Sequence, residues 1–128
     1  MLEPAIRDLA TGKNFAVLAV HLPNGEIANH VMWVDASDDQ LLINTEVHRA
    51  KYRAVQQRPE VTVTIWDAAN PYRYAEVRGK VSGQVRGDQA RDHIDALSQR
   101  YMGQDYAGEI ESERVVLRID PVRQIMRG

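Results

Sequence analysis

The sequence has no cysteine. That absence excludes disulfides, thiolate metal sites and cysteine nucleophiles, and it fits a reducing compartment, so a cytoplasmic protein is expected. Net charge is also scarce: 16 Lys and Arg stand against 18 Asp and Glu, a formal charge of −2. Such a balance gives no global field for nucleic acid or an anionic membrane, so any anion site must be local. No apolar run approaches the roughly 20 residues that span a bilayer. Met1-Leu2-Glu3-Pro4 lacks the cationic start and apolar stretch of a secretory signal.

The signatures of several enzyme classes are missing too. Gly12-Lys13 has no upstream P-loop glycine, and no Gly-x-Gly-x-x-Gly occurs, so a nucleotide-derived cofactor has to bind through some other fold. His21, His30, His48 and His93 are scattered and form no His-x-x-x-His pair, which argues against a metal site. The absence of a Gly-x-Ser-x-Gly elbow argues against acyl transfer. Asp38-Asp39 and Glu111/Glu113 read as solvated loop charges rather than acid–base pairs.

What the chain does contain is strand after strand, separated by tight turns. Pro4 to Gly12 reads as a short helix, with Ile6 and Leu9 on one face. Phe15 to Val20 and Ile27 to Val34 flank Asn24-Gly25, the strongest short hairpin signal. After the turn Ser37-Asp38-Asp39 come Gln40 to Asn44, then Val61 to Trp66, Tyr74 to Val85 and Val115 to Met126, six strands in all. Residues 1–128 form one domain, mainly β, whose antiparallel sheet would lose its exposed edges by closing into a small barrel. Asp88 can cap a helix in which Ala90, Ile94, Leu97 and Tyr101 recur at helical spacing before Gly103, packed outside the barrel. Gly103 to Glu113, glycine-rich and acidic, is the segment most suited to mobility.

The densest chemistry lies at Asn44-Thr45-Glu46-Val47-His48-Arg49-Ala50-Lys51-Tyr52-Arg53, where a strand hands over to a helix that ends near Arg58-Pro59. Thr45 is a candidate N-cap. A helix N-terminus favours anions through its unpaired N–H groups and dipole, and Arg49 and Lys51 add full charges there. Two readings follow, a phosphate seat or a solvated basic face. Other residues carry similar pairs of readings. Trp33 and Trp66 suit core or interface packing, or the flank of a planar ring. Pro71 and Tyr72 frame a cofactor edge or cover a barrel mouth. Asn29 and His30 break the apolar run of the second strand, either on an exposed face or beside a ligand.

The ordered set of Asn44-Thr45, Arg49-x-Lys51, Arg53, Pro59, the turn Asn70-Pro71-Tyr72-Arg73-Tyr74 and the strand Glu76-Val77-Arg78-Gly79 resembles the pyridoxamine 5'-phosphate oxidase-like split-barrel superfamily of flavin and deazaflavin oxidoreductases. The likeness is greater to its branch that binds coenzyme F420. His48 stands where relatives often have Gly, Ala54 where they often have Asn, and Glu46 puts a carboxylate beside the anion loop. The resemblance implies a six-stranded antiparallel split β-barrel with short flanking helices and a homodimer with the cofactor between subunits. It implies Arg49 and Lys51 on the phosphate, with Asn44, Thr45 and His48 around it, and Arg53 and Arg78 toward the carboxylates of the oligoglutamate tail. Pro71, Tyr72, Asn29 and His30 would then lie near the ring. The implied activity is hydride transfer between the deazaflavin and an unsaturated small organic substrate, with His30, Tyr74 and solvent all open as the proton source. FMN is the alternative cofactor, and a non-catalytic F420 carrier the alternative function. True pyridoxamine phosphate oxidases carry further C-terminal substrate motifs, which are not found before Gly128.

Overall fold

Period-two burial organises the strands. In β1 (Phe15–His21) Ala16, Leu18 and Val20 turn inward, and in β5 (Glu60–Asp67) Val61, Val63 and Ile65 do the same. The computed structural model describes all residues, 1–128, and adds β2 (Ile27–Met32), β3 (Asp35–Ala36), β4 (Leu41–Glu46), β6 (Asn70–Arg86) and β7 (Arg114–Arg127). These form one antiparallel sheet in the order β2-β1-β5-β6-β7-β4-β3. The sheet curls around a core cluster of 20 buried residues, which α1 (Pro4–Thr11) closes with Ile6, Leu9 and Ala10. Helix α2 (Ala50–Gln57) adds Ala54 and Val55 to that core. Helix α3 (Asp88–Met102) packs outside the sheet as expected and carries a second small cluster, Ile94, Leu97 and Tyr101.

The long β6–β7 pairing bends the sheet at two register shifts, one at Arg78/Gly79 and one at Val81/Gly83. Pro121 pairs with Gly79 at the first of them, where a residue without an N–H interrupts the ladder least. Gly79 is required by space: a Cβ there would lie 2.5 Å from the Asp120 carbonyl oxygen and 2.8 Å from Ile119 Cγ2.

Several expectations need correction. The sheet has seven strands, not six, because Asp35 and Ala36 pair with Leu42 and Leu41. Two residues are too short for a period-two signal. Thr45 is not an N-cap: β4 runs on through Glu46, and Arg49 precedes α2 without capping it through its side chain. Asn70 to Tyr74 is not a turn, since the reversal is at Ala68-Ala69 and β6 starts at Asn70. Asp88 is the first residue of α3, and Gly87 is its N-cap. Trp33 lies beyond the end of β2 rather than in it. At the other end of α3 the expected stop holds, with Gly103 left-handed and its N–H on the Gln99 and Ser98 carbonyls.

Gly79→Val should destabilise the fold by about 1–3 kcal/mol through overpacking at the bend. Chemical denaturation checks this, with Gly25→Val as control for a glycine with open space around it but a positive φ.

Candidate functional site

Strand β3 covers only Leu41 and Leu42, so the second half of β4 has a free edge. Val31, Met32 and Trp33 face that edge across a cleft of about 240 Å³. Its lining combines two chemistries: Trp33, Ile94, Leu97 and Tyr106 are apolar or aromatic, whereas Asn44, Thr45, Arg49, Lys51 and Arg114 are polar or cationic, and the Arg114 guanidinium lies over the Tyr106 ring. Trp33 stacks on Tyr101 at 5.0 Å between ring centroids, and Tyr106 meets it edge-on at 6.2 Å. A neighbouring hollow of about 440 Å³ shares Arg49 and Lys51 and adds His30, His48, Ala50 and Glu111.

Lys51 is the least expected side chain here. It is 8% exposed, makes no hydrogen bond, and has no carboxylate in ion-pair range. Burial pushes its pKa down to about 8, helped by the positive charges of Arg49 and Arg114. It sits in the first turn of α2, which has no acidic residue and no side-chain cap. The helix N-terminus and the lysine therefore present uncompensated positive charge at one place. Two polar atoms beside them are buried without a partner, Thr45 Oγ1 and His30 Nε2. Burial, then Lys51 and Arg49, lowers the pKa of His30 and favours its neutral form.

Glu46 would be the natural counter-ion, but it is used elsewhere. Its carboxylate is 1% exposed and accepts the N–H groups of Glu111 and Ser112, both at 2.8 Å, and Arg114 Nη1 at 3.3 Å. Burial alone would raise its pKa; those N–H groups and Arg114 outweigh it and hold Glu46 below the usual range. Arg49 Nη2 reaches it only at 3.6 Å. Glu46 thus anchors the 103–113 segment rather than entering the anion loop. The N–H of Tyr106 on Asp95 and the Val47 N–H on the Glu113 carbonyl pin the same segment.

Of the residues expected in a site, the fold brings together Asn44, Thr45, His48, Arg49, Lys51 and His30. Asn29 alternates to the opposite, exposed face of β2. Arg53 is exposed and donates to the His48 carbonyl. Arg78 pairs with Glu76 at 3.0 Å and borders a separate hollow of about 340 Å³ with His21 and Glu60. Pro71 and Tyr72 are exposed at the start of β6 and line neither basic cavity. Arg114, Tyr106, Ile94 and Leu97 were not expected. They come from the last third of the chain, and only the helical spacing of Ile94 and Leu97 marked a buried face. Among all residues, no group of three His, Asp or Glu could hold a metal ion, and no helix is long and apolar enough to cross a membrane.

The family model described as pyridoxamine 5'-phosphate oxidase matches residues 2–126. The chain belongs to that family. Among solved structures, one named F420 reductase superposes with a TM-score of 0.83 at 26% identity, covering 97% of this chain and 98% of its own. A conserved hypothetical protein from Mycobacterium tuberculosis gives 0.77 at 22% identity over 99% and 84%. A pyridoxamine 5'-phosphate oxidase-related, FMN-binding protein from Nostoc punctiforme gives 0.65 at 18% over 96% and 83%. No curated protein matches significantly. The family and these likenesses establish the split-barrel fold, here with seven strands.

Lys51 makes a signed prediction for the ligand-free protein. Its folded pKa, about 8, lies below the value of roughly 10.4 in an unfolded chain. The cost of charging it is therefore present in full below pH 8, and stability should rise between about pH 8 and about 10.4, where the unfolded chain binds the extra proton. Lys51→Met should lack that rise and be more stable than wild type at pH 7, by on the order of 1–3 kcal/mol. Urea titrations across this range, without anions, check both.

Proposed function

We propose that this member of the pyridoxamine 5'-phosphate oxidase family is an oxidoreductase that uses coenzyme F420, with the cofactor phosphate on the cations that line the cleft. One observation carries the reading: Lys51 is buried at a helix N-terminus with no counter-ion, beside two unpartnered polar atoms. A phosphate would supply the missing charge and acceptors, through charge-assisted bonds. Arg49, Lys51 and the Thr45 hydroxyl fit it directly, and the neutral His30 offers a hydrogen bond to a neighbouring group. The likeness to the structure named F420 reductase supports the deazaflavin.

A bound reduced deazaflavin supplies the hydride for an unsaturated carbon, and the chain binds, orients and keeps the site dry. Trp33 and Tyr106 give the apolar surface for that. FMN is the second reading, supported by the FMN-binding relative and by the ability of the same cations to hold its phosphate.

The site is proposed to be completed by a second copy of the chain. Ile27 and Val31 are 68% and 69% exposed on β2, and Phe15 and Tyr72 are exposed as well. These, rather than Ile65, which is in the core, and Trp33, which is half covered, are the apolar residues a partner would bury. Pro71, Tyr72, Asn29 and Arg78 would then act across the interface, since one subunit leaves them apart from the basic cleft.

Lys51→Ala should weaken F420 binding by roughly 1.5–3 kcal/mol, whereas Lys80→Ala, an exposed lysine on β6, should change it little. Fluorescence titration measures both, and equal or tighter FMN binding by wild type would favour the second reading. Light scattering should give a dimer mass at micromolar concentration, and a monomer would rule out the shared site.

A further inference from the structure

The amide of Asn44 is fixed from both ends by chemistry that leaves no ambiguity. Its nitrogen lies 2.9 Å from the Ala90 carbonyl, which only accepts, and its oxygen 2.9 Å from Arg114 Nε, which only donates. The same nitrogen lies 3.0 Å from His93 Nδ1. That ring nitrogen must therefore be the acceptor, so the proton of neutral His93 is on Nε2, which donates to Asp35 Oδ2 at 2.9 Å. Arg100 holds the other Asp35 oxygen at 2.6 Å. A continuous relay results: Asp35, His93, Asn44, Arg114, Glu46.

The relay ends in the cleft. Arg114 is 7% exposed, with Nε on Asn44, Nη1 on Glu46 and its guanidinium carbon 5.3 Å from the Tyr106 ring centroid. Its Nη2 has no partner in the chain, and the residue lines the cleft with Arg49 and Lys51. We propose that Arg114 is a third anion-binding cation and that His93 is a positioning residue, aiming it through the Asn44 amide. This rests on the anion-site reading above.

Protonating His93 would set an N–H on Nδ1 against the Asn44 amide N–H₂ and turn the amide out of register with Arg114. Acid should then weaken anion binding through His93. His30 and His48, which border the adjoining hollow, act with the opposite sign, because a positive charge there attracts the anion. The charged groups around His93 are Asp35 on β3, Arg100 on its own helix, Arg114 beyond Asn44, and Arg118 on β7, which lines the hollow beside it. Burial raises the pKa of Asp35, but the His93 and Arg100 bonds outweigh it and hold the carboxyl below its usual range, so Asp35 stays ionised in mild acid.

The test uses the whole 128-residue chain and sulfate, an anion whose charge is constant in neutral and mildly acidic solution, titrated calorimetrically. His93→Leu should weaken sulfate binding about tenfold at about pH 7.5. His93→Asn, which keeps an acceptor near Nδ1 but cannot be protonated, should bind within about threefold of wild type. As acid protonates His93, followed by its own imidazole nitrogen shifts, wild type should lose affinity relative to His93→Asn, by about fivefold or more. Nitrogen NMR of the imidazole at about pH 7.5 should report the Nε2–H tautomer, a readout that does not depend on any variant folding. An Nδ1–H tautomer, or His93→Leu binding like wild type while Lys51→Ala loses affinity, would overturn the relay and leave the anion site standing. Lys51→Ala binding sulfate like wild type would overturn the anion site and the relay with it.

Discussion

A single buried carboxylate decides the electrostatics of this cleft. Glu46 could have neutralised the cations around it, but two backbone N–H groups and Arg114 take up its oxygens. A carboxylate this buried is tolerable only when its lone pairs are satisfied, and satisfying them ties the 111–112 backbone to the end of β4. The same bonds bring down the segment that carries Tyr106 and so build one wall of the cleft. Arg49 and Lys51 are left with a net positive surplus that the chain does not cancel. The surplus is local, as it must be in a chain with a formal charge of −2.

The cost of that surplus is borne by the core. Lys51 lies next to Ala54 and Val55, which pack into the main cluster, so α2 cannot rotate the lysine into solvent without exposing both. Burial of the lysine follows from helical spacing, since residues three and four apart share a face. The fold thus holds an ammonium group where its charged form is disfavoured, as strained or desolvated groups elsewhere persist only when their surroundings over-determine them. Two orphaned polar atoms at the same place, Thr45 Oγ1 and His30 Nε2, repeat the pattern in uncharged form.

How much of this the sequence made legible depends on range. Hairpins and helices are written locally: Asn24-Gly25, the β-branched runs and the Ala90-Ile94-Leu97-Tyr101 spacing all placed their elements correctly. The basic stretch from Asn44 to Arg53 was legible for the same reason, because one strand-to-helix junction supplies it. Element ends were not. Thr45 has the composition of a cap, yet pairing with Val115 on β7 keeps it in the strand. Asn70-Pro71 has the composition of a turn, yet Asn70 pairs with Asp67 and the chain reverses one step earlier. Long-range ladder bonds won in both places over local preference. Arg114 and His93 had no local signal at all, since the hydrogen bonds that place each of them reach partners about 50 to 70 residues away.

The split in the sheet gives these pieces a common purpose. A closed barrel would pair the second half of β4 and leave no room between it and Val31-Met32-Trp33. Because β3 stops after two residues, the gap stays open, and its rims come from elements far apart in sequence. The cations, the helix N-terminus and the unpartnered hydroxyl share the lining with the rings of Trp33 and Tyr106, and Arg114 lies over the latter. Neither set alone selects a ligand. Together they suit a molecule with an anionic group attached to an apolar or planar body. Arg49 is half exposed, whereas Lys51 and Arg114 are buried, and for those two the lower local dielectric strengthens any interaction with charge.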